Sequence, residues 1–224
     1  MKKLLLIALL TIGAFAEIGT IMAIQGDAQV KRTTKTLPVK SGMDLLKGDK
    51  IITQNKTKVQ IILNDDTTIT IGSNSSFAFL DYTFDGTKNS SVSMKSTRGF
   101  FRSVTGQIGK LAPERFKVQT NLATIGIRGT DFSAQINENK ALYRCYSGEI
   151  KVAFNGKERS IIEGEMLHLH LEGGAVKEKP VSETTIGSKF QKISPDSKFG
   201  GKDLSDLSEI KDDVTSVQYN CQHN

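Results

Sequence analysis

KVQIILNDDTTITIG, Lys58 to Gly72, decides how this chain folds. Val59, Ile61 and Leu63 fall at every second position, and alternate residues of a strand share a face. Asn64, Asp65 and Asp66 then supply side chains that favour a turn, and Ile69 and Ile71 bring the same apolar face back. An amphipathic helix would need apolar residues three and four apart instead. The stretch therefore predicts an antiparallel hairpin with one buried side and one wet side.

The same period runs outward in both directions. Upstream, GTIMAIQGDAQVKR places Ile21, Ala23, Ala28 and Val30 around a Gly26-Asp27 turn, and LLKGDKIIT turns at Gly48-Asp49. Downstream, SSFAFLDYTFDG offers Phe77, Phe79, Tyr82 and Phe84 and ends on Asp85-Gly86. Phe116, Val118, Ile125 and Ile127, then Phe132, Ala134 and Ile136, continue the pattern. Asn155-Gly156 between alternating flanks is a strong type I′ turn signal. Such turns every 8 to 12 residues predict an all-β fold. Its short antiparallel, meandering strands form a solenoid-like or a sandwich arrangement.

The chain has 224 residues, 38% hydrophobic and 24% charged, enough for one domain with a real core. Its first residues differ from the rest. Lys2 and Lys3 precede an apolar run from Leu4 to Phe15, and Ala14-Phe15-Ala16 is a small-x-small cleavage site. This reads as a secretory signal peptide over 1–16, cut after Ala16, because the run falls short of the roughly 20 residues a spanning helix needs. No second apolar run approaches spanning length, so the mature protein is expected in the periplasm, without a transmembrane segment. Residues 17–175 form the β domain. Residues 176–224, rich in Lys, Glu, Ser, Asp and Gly, read as a flexible polar tail with one short helix through Leu204, Leu207 and Ile210.

The order of these pieces resembles the periplasmic FecR domain family. The family's opening strand pair is matched by Gly19 to Arg32, and its L-x-x-G-D-x-[IV]-x-T by Leu45 to Thr53. A hairpin closed by D-G-[ST] is matched by Asp65-Asp66-Thr67, with Asp in place of the Gly. Asn74 to Phe79 answer N-S-x-[FL]-x-[FL] imperfectly, and Gly99 to Arg102 answer G-x-[FL]-R. Val118 to Phe132 match V-x-T-x-x-A-x-x-[GA]-[VI]-R-G-T-x-F, and Cys145 to Val152 the closing strand, before a Gly164-Glu165 turn. The resemblance implies the fold and the compartment. The regulator that names the family resembles a cytoplasmic anti-sigma segment, a membrane helix and this domain. No such leading parts are read here, so its transmembrane signalling does not carry over.

TIGIRGTDF, Thr124 to Phe132, is the densest motif, built on Gly126, Arg128, Gly129, Thr130 and Phe132. No helix follows its glycines, which argues against a phosphate cradle. It reads as a strand-to-strand corner: Ile125 and Ile127 enter the core, Gly129 turns the chain, Thr130 or Asp131 accepts backbone N–H bonds, and Phe132 resumes inward alternation. Arg128 either holds the corner, paired with a carboxylate and stacked on an aromatic ring, or faces an acidic ligand or partner.

Charge is uneven. From Gly86 to Thr130 eight bases (Lys88, Lys95, Arg98, Arg102, Lys110, Arg115, Lys117, Arg128) face one acid, Glu114. On strands they scatter over several surfaces or gather on one. If gathered, Arg98, Arg102, Arg115 and Arg128 are the candidate binding residues for an acidic protein, an anionic glycan or a lipid headgroup. Nucleic acid is excluded by export. His168 and His170 share one face of a strand as a solvated polar pair, with Leu167, Leu169 and Leu171 on the core side. A metal there would need a third ligand such as Cys221 or His223 that nothing places, so no metal and no cofactor is expected. Cys145 and Cys221 could form a disulfide in an oxidising compartment, or Cys145 could stay a buried thiol. No Ser-His-Asp order, paired-carboxylate motif or HExxH is present, so no enzymatic activity is expected. The composite expectation is an exported, non-enzymatic sensory or protein-interaction module with an envelope protein partner. The competing reading is an envelope ligand binder that recognises anionic glycan or lipid through a basic surface.

Overall fold

The computed structural model describes residues 17–179. The signal peptide over 1–16, the helix through Leu204 to Ile210, Cys221 and His223 lie outside the described residues.

Fifteen strands join in one hydrogen-bonded sheet. They are β1 (Glu17–Gln25), β2 (Ala28–Arg32), β3 (Lys35–Pro38), β4 (Asp44–Leu46), β5 (Lys50–Thr53), β6 (Lys58–Leu63), β7 (Thr68–Ile71) and β8 (Ser76–Thr83). There follow β9 (Ser91–Val104), β10 (Phe116–Gln119), β11 (Thr124–Ile136), β12 (Lys140–Phe154), β13 (Lys157–Ile162), β14 (Met166–Glu172) and β15 (Ala175–Lys179). A one-turn helix, α1 (Ile108–Leu111), and a 3-10 turn, Pro113–Arg115, join β9 to β10. The hairpin of β6 and β7 forms as read, with Val59 opposite Ile71 and Ile61 opposite Ile69.

The pairings fold this sheet over on itself. The first part of β9 lies between β8 and β10, its only parallel neighbour, whereas the part from Gly99 onward lies between β7 and β11. β11 likewise has β10 beside its first half and β9 beside its second, with β12 along both. β12 pairs with β14 before Ser147 and with β13 after it. Three strands thus cross from one wall to the other, as in packings whose corners are made by bent strands. The first wall runs β4-β1-β6-β7 and on through these strands to β14 and β15; the second runs β3-β2-β5-β8 and on through them to β13. Facing walls satisfy the sandwich expectation, and corner-turning strands the solenoid one. "Short" does not hold for β9, β11 and β12, of 14, 13 and 15 residues.

The core sits between the walls. Phe77 of the second wall meets Phe101 of the first edge-to-face, ring centroids 5.1 Å apart, and Phe79 and Phe132 extend the row. All four rings are buried. Hydrogen bonds also span the gap. Tyr143 of β12 shares one with Thr120, in the turn before β11, at 2.7 Å. Asp65, fully buried at the hairpin turn, accepts from the hydroxyls of Thr67 (2.8 Å) and Tyr82 (3.3 Å) and from the Ile108 N–H (3.1 Å). Among the described residues no cation neutralises this carboxylate; directed donors replace its water. On the same principle buried Asp49 takes a two-pronged bond from Arg32, at 2.8 and 2.6 Å, and the Leu46 N–H at 2.9 Å.

Three readings are corrected. A bulge at Met22 breaks the Ile21–Ala23 alternation and leaves Ala23 half-buried opposite Gln60. The tail expected from 176 begins inside β15, which pairs with β14 and seats Val176 against the core. Its exposed charged neighbours hid this edge strand. Leu171, expected in the core, is exposed near the end of β14, where the wall runs out.

Backbone geometry yields the first prediction. Gly148 has φ +80°, and a Cβ there would lie 2.2 Å from the Gly129 carbonyl oxygen. Gly148→Ala combines left-handed strain with a backbone clash and should cost about 3 kcal/mol. Asp66 has φ +66°, the position where the resemblance places Gly. Asp66→Gly should gain about 0.5–1 kcal/mol by removing that strain. Urea melts of the two variants should move in opposite directions.

Burial pushes the Tyr143 phenol up to about 12, against a smaller opposing effect of its Thr120 hydrogen bond. A raised phenol keeps its proton in the fold while the unfolded chain loses it, so this stabilisation is complete below pH 10 and is lost as pH rises toward 12. Stability should therefore fall between pH 10 and 12 by up to about 2 kcal/mol from this group. Denaturation of Tyr143→Phe across that window should show a shallower decline.

Candidate interaction surface

TIGIRGTDF does not join two strands. It is a bulged bend inside the single strand β11, with register shifts on both sides of Asp131. Gly129 sits at the bend with φ +57°. Gly126, by contrast, is not left-handed in φ, and a Cβ there would approach nothing closer than the Lys151 carbonyl oxygen at 4.0 Å. Ile125, Ile127 and Phe132 are buried as read. Thr130 holds the bend with its backbone, its N–H donating to Thr105 Oγ1 at 2.9 Å and its carbonyl accepting from the Thr105 N–H at 2.9 Å. Its own hydroxyl makes no hydrogen bond among the described residues.

The arginine that locks the bend is Arg102, not Arg128. Arg102 donates to both oxygens of Asp131, Nε at 2.8 Å and Nη2 at 2.6 Å. Its guanidinium lies 4.5 Å from the centre of the Tyr146 ring. Carboxylate and aromatic partner, both foreseen for Arg128, belong to the arginine on the neighbouring strand β9. Register explains it: Arg102 pairs with Ser133 on the outer side of the first wall, beside Asp131. Arg144 reaches the other part of the same ring, 5.8 Å from its centre, and donates to Met166 Sδ at 3.1 and 3.0 Å. Arg128 is exposed, opposite Glu149, on the second wall.

The outer side of that second wall gathers positive charge. Cross-strand partners point the same way, and the register sets Lys31 beside Lys50, Lys50 beside Ala78, Ala78 beside Lys95, and Lys95 beside Gln119. A parallel row sets Asp81 beside Ser93, Ser93 beside Lys117, Lys117 beside Gly126, and Gly126 beside Lys151. Arg115 ends the 3-10 turn just before β10, Arg128 lies two residues beyond Gly126 on β11, and Arg98 stands at the corner before Gly99. Lys31, Lys50, Lys95, Arg98, Lys117, Arg115 and Arg128 have no ion pair among the described residues. The carboxylates on this side are engaged: Asp81 by Lys47, which holds its carboxyl below the usual range, Glu158 by Lys151 at 3.2 Å, and Glu149 by the Ser160 hydroxyl. The residues between the bases include the small Ala78, Ser93 and Gly126; Lys31, Lys95 and Lys117 are exposed and Lys50 is half-buried. Of the eight bases counted in sequence, Lys88 and Lys110 lie on loop and helix, and Arg102 points from the opposite wall. Sequence alone could not add Lys31, Lys50 and Lys151, because the pairing of β2 with β5, β5 with β8, and β11 with β12 is non-local.

The histidines differ from the solvated pair expected. His168 is only 8% exposed, and burial, then the charges of Lys179, His170 and Lys140, lower its pKa. The rings of His168 and His170 lie 6.5 Å apart. Among the described residues no group of three His, Cys, Asp or Glu could hold a metal ion. Cys145 is buried, its thiol 3.4 Å from the carbonyl oxygens of Ser147 and Gly148, and burial raises its pKa. Cys221, its candidate disulfide partner, lies outside the described residues. Among the described residues no helix is long and apolar enough to cross a membrane.

Residues 49–151 match the family model described as FecR protein. No curated protein matches the chain. Two crystal structures of a candidate anti-sigma factor from Parabacteroides distasonis are similar at 15% and 16% identity, with TM-scores of 0.47 and 0.46. The alignment covers 58% of this chain and 58% of theirs, so the chain spans little over half their length. A structure described as a cell surface anchoring domain is 26% identical over 27% of this chain and 82% of its own, with a TM-score of 0.27.

Locking and exposed arginines should separate by mutation. Arg102→Lys loses the two-pronged bond and the stacked plane, and should cost about 1–2 kcal/mol. Arg128→Lys should stay within about 0.5 kcal/mol of wild type. Thermal melts of both variants measure the difference.

Proposed function

We propose that this chain, which carries a FecR domain at residues 49–151, is a non-enzymatic interaction module of the cell envelope, exported to the periplasm by its leader. It docks an acidic partner protein on the outer side of the second wall. The supporting observation is the set of bases that strand register places there, Lys31, Lys50, Lys95, Lys117 and Arg128, with Arg115 just before β10, and neighbouring carboxylates that are already engaged. Unpaired charge on a stiff sheet steers an oppositely charged partner and costs little ordering on binding. The wall needs no movement of the core to present it, which suits a relay or scaffold. A role in signalling fits the FecR match.

The same surface could meet an anionic glycan or a lipid headgroup, so the experiment separates these ligands. The full chain is cross-linked in envelopes of its source cells, beside the charge-reversed variant Lys95→Glu, Lys117→Glu, Arg128→Glu. The wild type should capture one protein at fixed ratio, and the variant should lose it at least about tenfold while melting at the same temperature. Equal capture by both would overturn the assignment of this wall. Capture of no protein, together with salt-sensitive binding to phosphatidylglycerol vesicles, would favour the lipid reading.

A further inference from the structure

The core opens at the end of the molecule where both walls finish. β3 ends the second wall and β4 the first, and among the described residues β3 pairs only with β2 and β4 only with β1. The chain from Val39 to Met43 crosses from one to the other. Val39, 7% exposed, plugs the gap. Leu37, opposite buried Val30, and Met43, packed against the core, stay half-buried before and after it. With Pro38, Lys40, Ser41 and Gly42 they line an open groove of about 410 Å³, within the usual range for a binding site.

The crossing is tied to both walls. The Val39 N–H donates to the Ala28 carbonyl of β2 at 2.9 Å. On the other side the Gly42 N–H donates to the Ile21 carbonyl of β1 at 2.8 Å, and the Ile21 N–H to the Met43 carbonyl at 2.9 Å. The Ser41 hydroxyl adds a bond to the Met22 carbonyl at 2.7 Å. A groove fixed in this way costs little ordering when it is filled.

Positive charge surrounds its apolar lining. Lys35 and Lys40 are exposed and have no ion pair among the described residues. Lys31, the first base of the second wall's row, lies opposite Thr36, one residue from Leu37, so the basic surface continues across β2 and β3 to the groove. Asp44, next after Met43, stands at Arg32, whose Nη2 donates to its carbonyl at 2.8 Å. A second copy of the chain fits poorly here, because a symmetric contact would set Lys35 and Lys40 against their own counterparts. A lipid surface fits poorly too: it takes up apolar side chains that project, whereas Leu37 and Met43 are half-buried walls of a concave site.

We propose that the acidic partner carries an apolar anchor flanked by carboxylates, and that this aliphatic or aromatic side chain seats between Leu37 and Met43. The inference rests on the reading of the second wall as a docking surface for an acidic protein, and it adds what charge alone does not supply. Charges steer the encounter and select the partner, and a buried apolar anchor holds it.

Two blocked peptides of equal charge test this on the full chain, Glu-Asp-Leu-Phe-Asp-Glu and Glu-Asp-Ser-Ser-Asp-Glu, followed by amide-resolved NMR. The first should shift the amides of Leu37, Val39, Gly42 and Met43 and bind at least about fivefold tighter than the second. That margin should persist at about 0.3 M NaCl, where the charge contribution common to both peptides is screened. Met43→Gln and Leu37→Gln should each erase the margin and leave the serine peptide as it was. Lys40→Glu, a change at an exposed side chain that does not depend on refilling the core edge, should weaken both peptides alike. Equal affinity of the two peptides for the wild type, with the groove amides unmoved, would overturn the anchor and leave charge-driven docking on the wall standing. Binding of neither peptide at about 20 mM NaCl would remove both. Groove amides that move with protein concentration alone, or with phosphatidylglycerol vesicles and not with the leucine peptide, would overturn the proposal in favour of a second copy or a lipid.

Discussion

Where β12 rounds its corner, Gly148 lies against the carbonyl of Gly129, closer than any side chain would permit. The rest of the structure depends on that approach of one backbone to another. It lets β11 and β12 bend together, so a paired ribbon leaves one wall and enters the other with its ladder interrupted only at the bulge around Asp131, where Thr105 takes up the Thr130 backbone groups. A corner made by ending both strands would leave backbone groups to be satisfied otherwise. The Thr105–Thr130 clasp and the Arg102–Asp131 pair stand beside this contact and fix the angle of the bend.

The bend also determines what each wall shows the outside. A bulge changes which residues face inward, so bases closely spaced in sequence separate. Arg102 is drawn to the first wall, where Asp131 and Tyr146 take its charge and its plane. Arg128, before the bend, stays on the second wall, opposite Glu149 and away from both partners. One arginine becomes structure and the other surface because Arg102 follows the corner of β9 at Gly99, whereas Arg128 precedes the bend in β11. Lys95 and Lys117 join Lys31 and Lys50 by the same strand pairing that encloses the phenylalanines on the inner side.

Much of the fold was legible in local pattern. The alternation of Val59, Ile61 and Leu63, the Asn155-Gly156 turn with φ +48° and +71°, and the inward set from Phe116 to Ile136 all stand as read. Local pattern failed where the decisive contact is non-local. Nothing near Arg128 in sequence shows that Arg102 is nearer to Asp131 in space. Nothing in HLHL shows that His168 is buried while Leu171, near the end of its strand, is not. The buried carboxylates Asp49 and Asp65 read as ordinary turn residues, because their donors come from Arg32, Tyr82 and Ile108, which lie far off in sequence. The resemblance carried more than periodicity did, since several of its motif residues (Arg32, Asp49, Asp65, Thr67, Gly99, Arg102, Thr130) are corner locks rather than reactive groups.

If continuous strands join the walls, the two halves of each long strand must open together. Native-state hydrogen exchange of the full chain measures this directly, at Ile127 and Phe132 on either side of the bend in β11 and at Cys145 and Ile150 on either side of the bend in β12. The bent ribbon predicts that all four amides exchange only through one global opening, with equal free energies and equal dependence on denaturant. Exchange of one wall's amides at a markedly lower free energy than the other's would show two independent sheets and contradict the corner as the element that unites them.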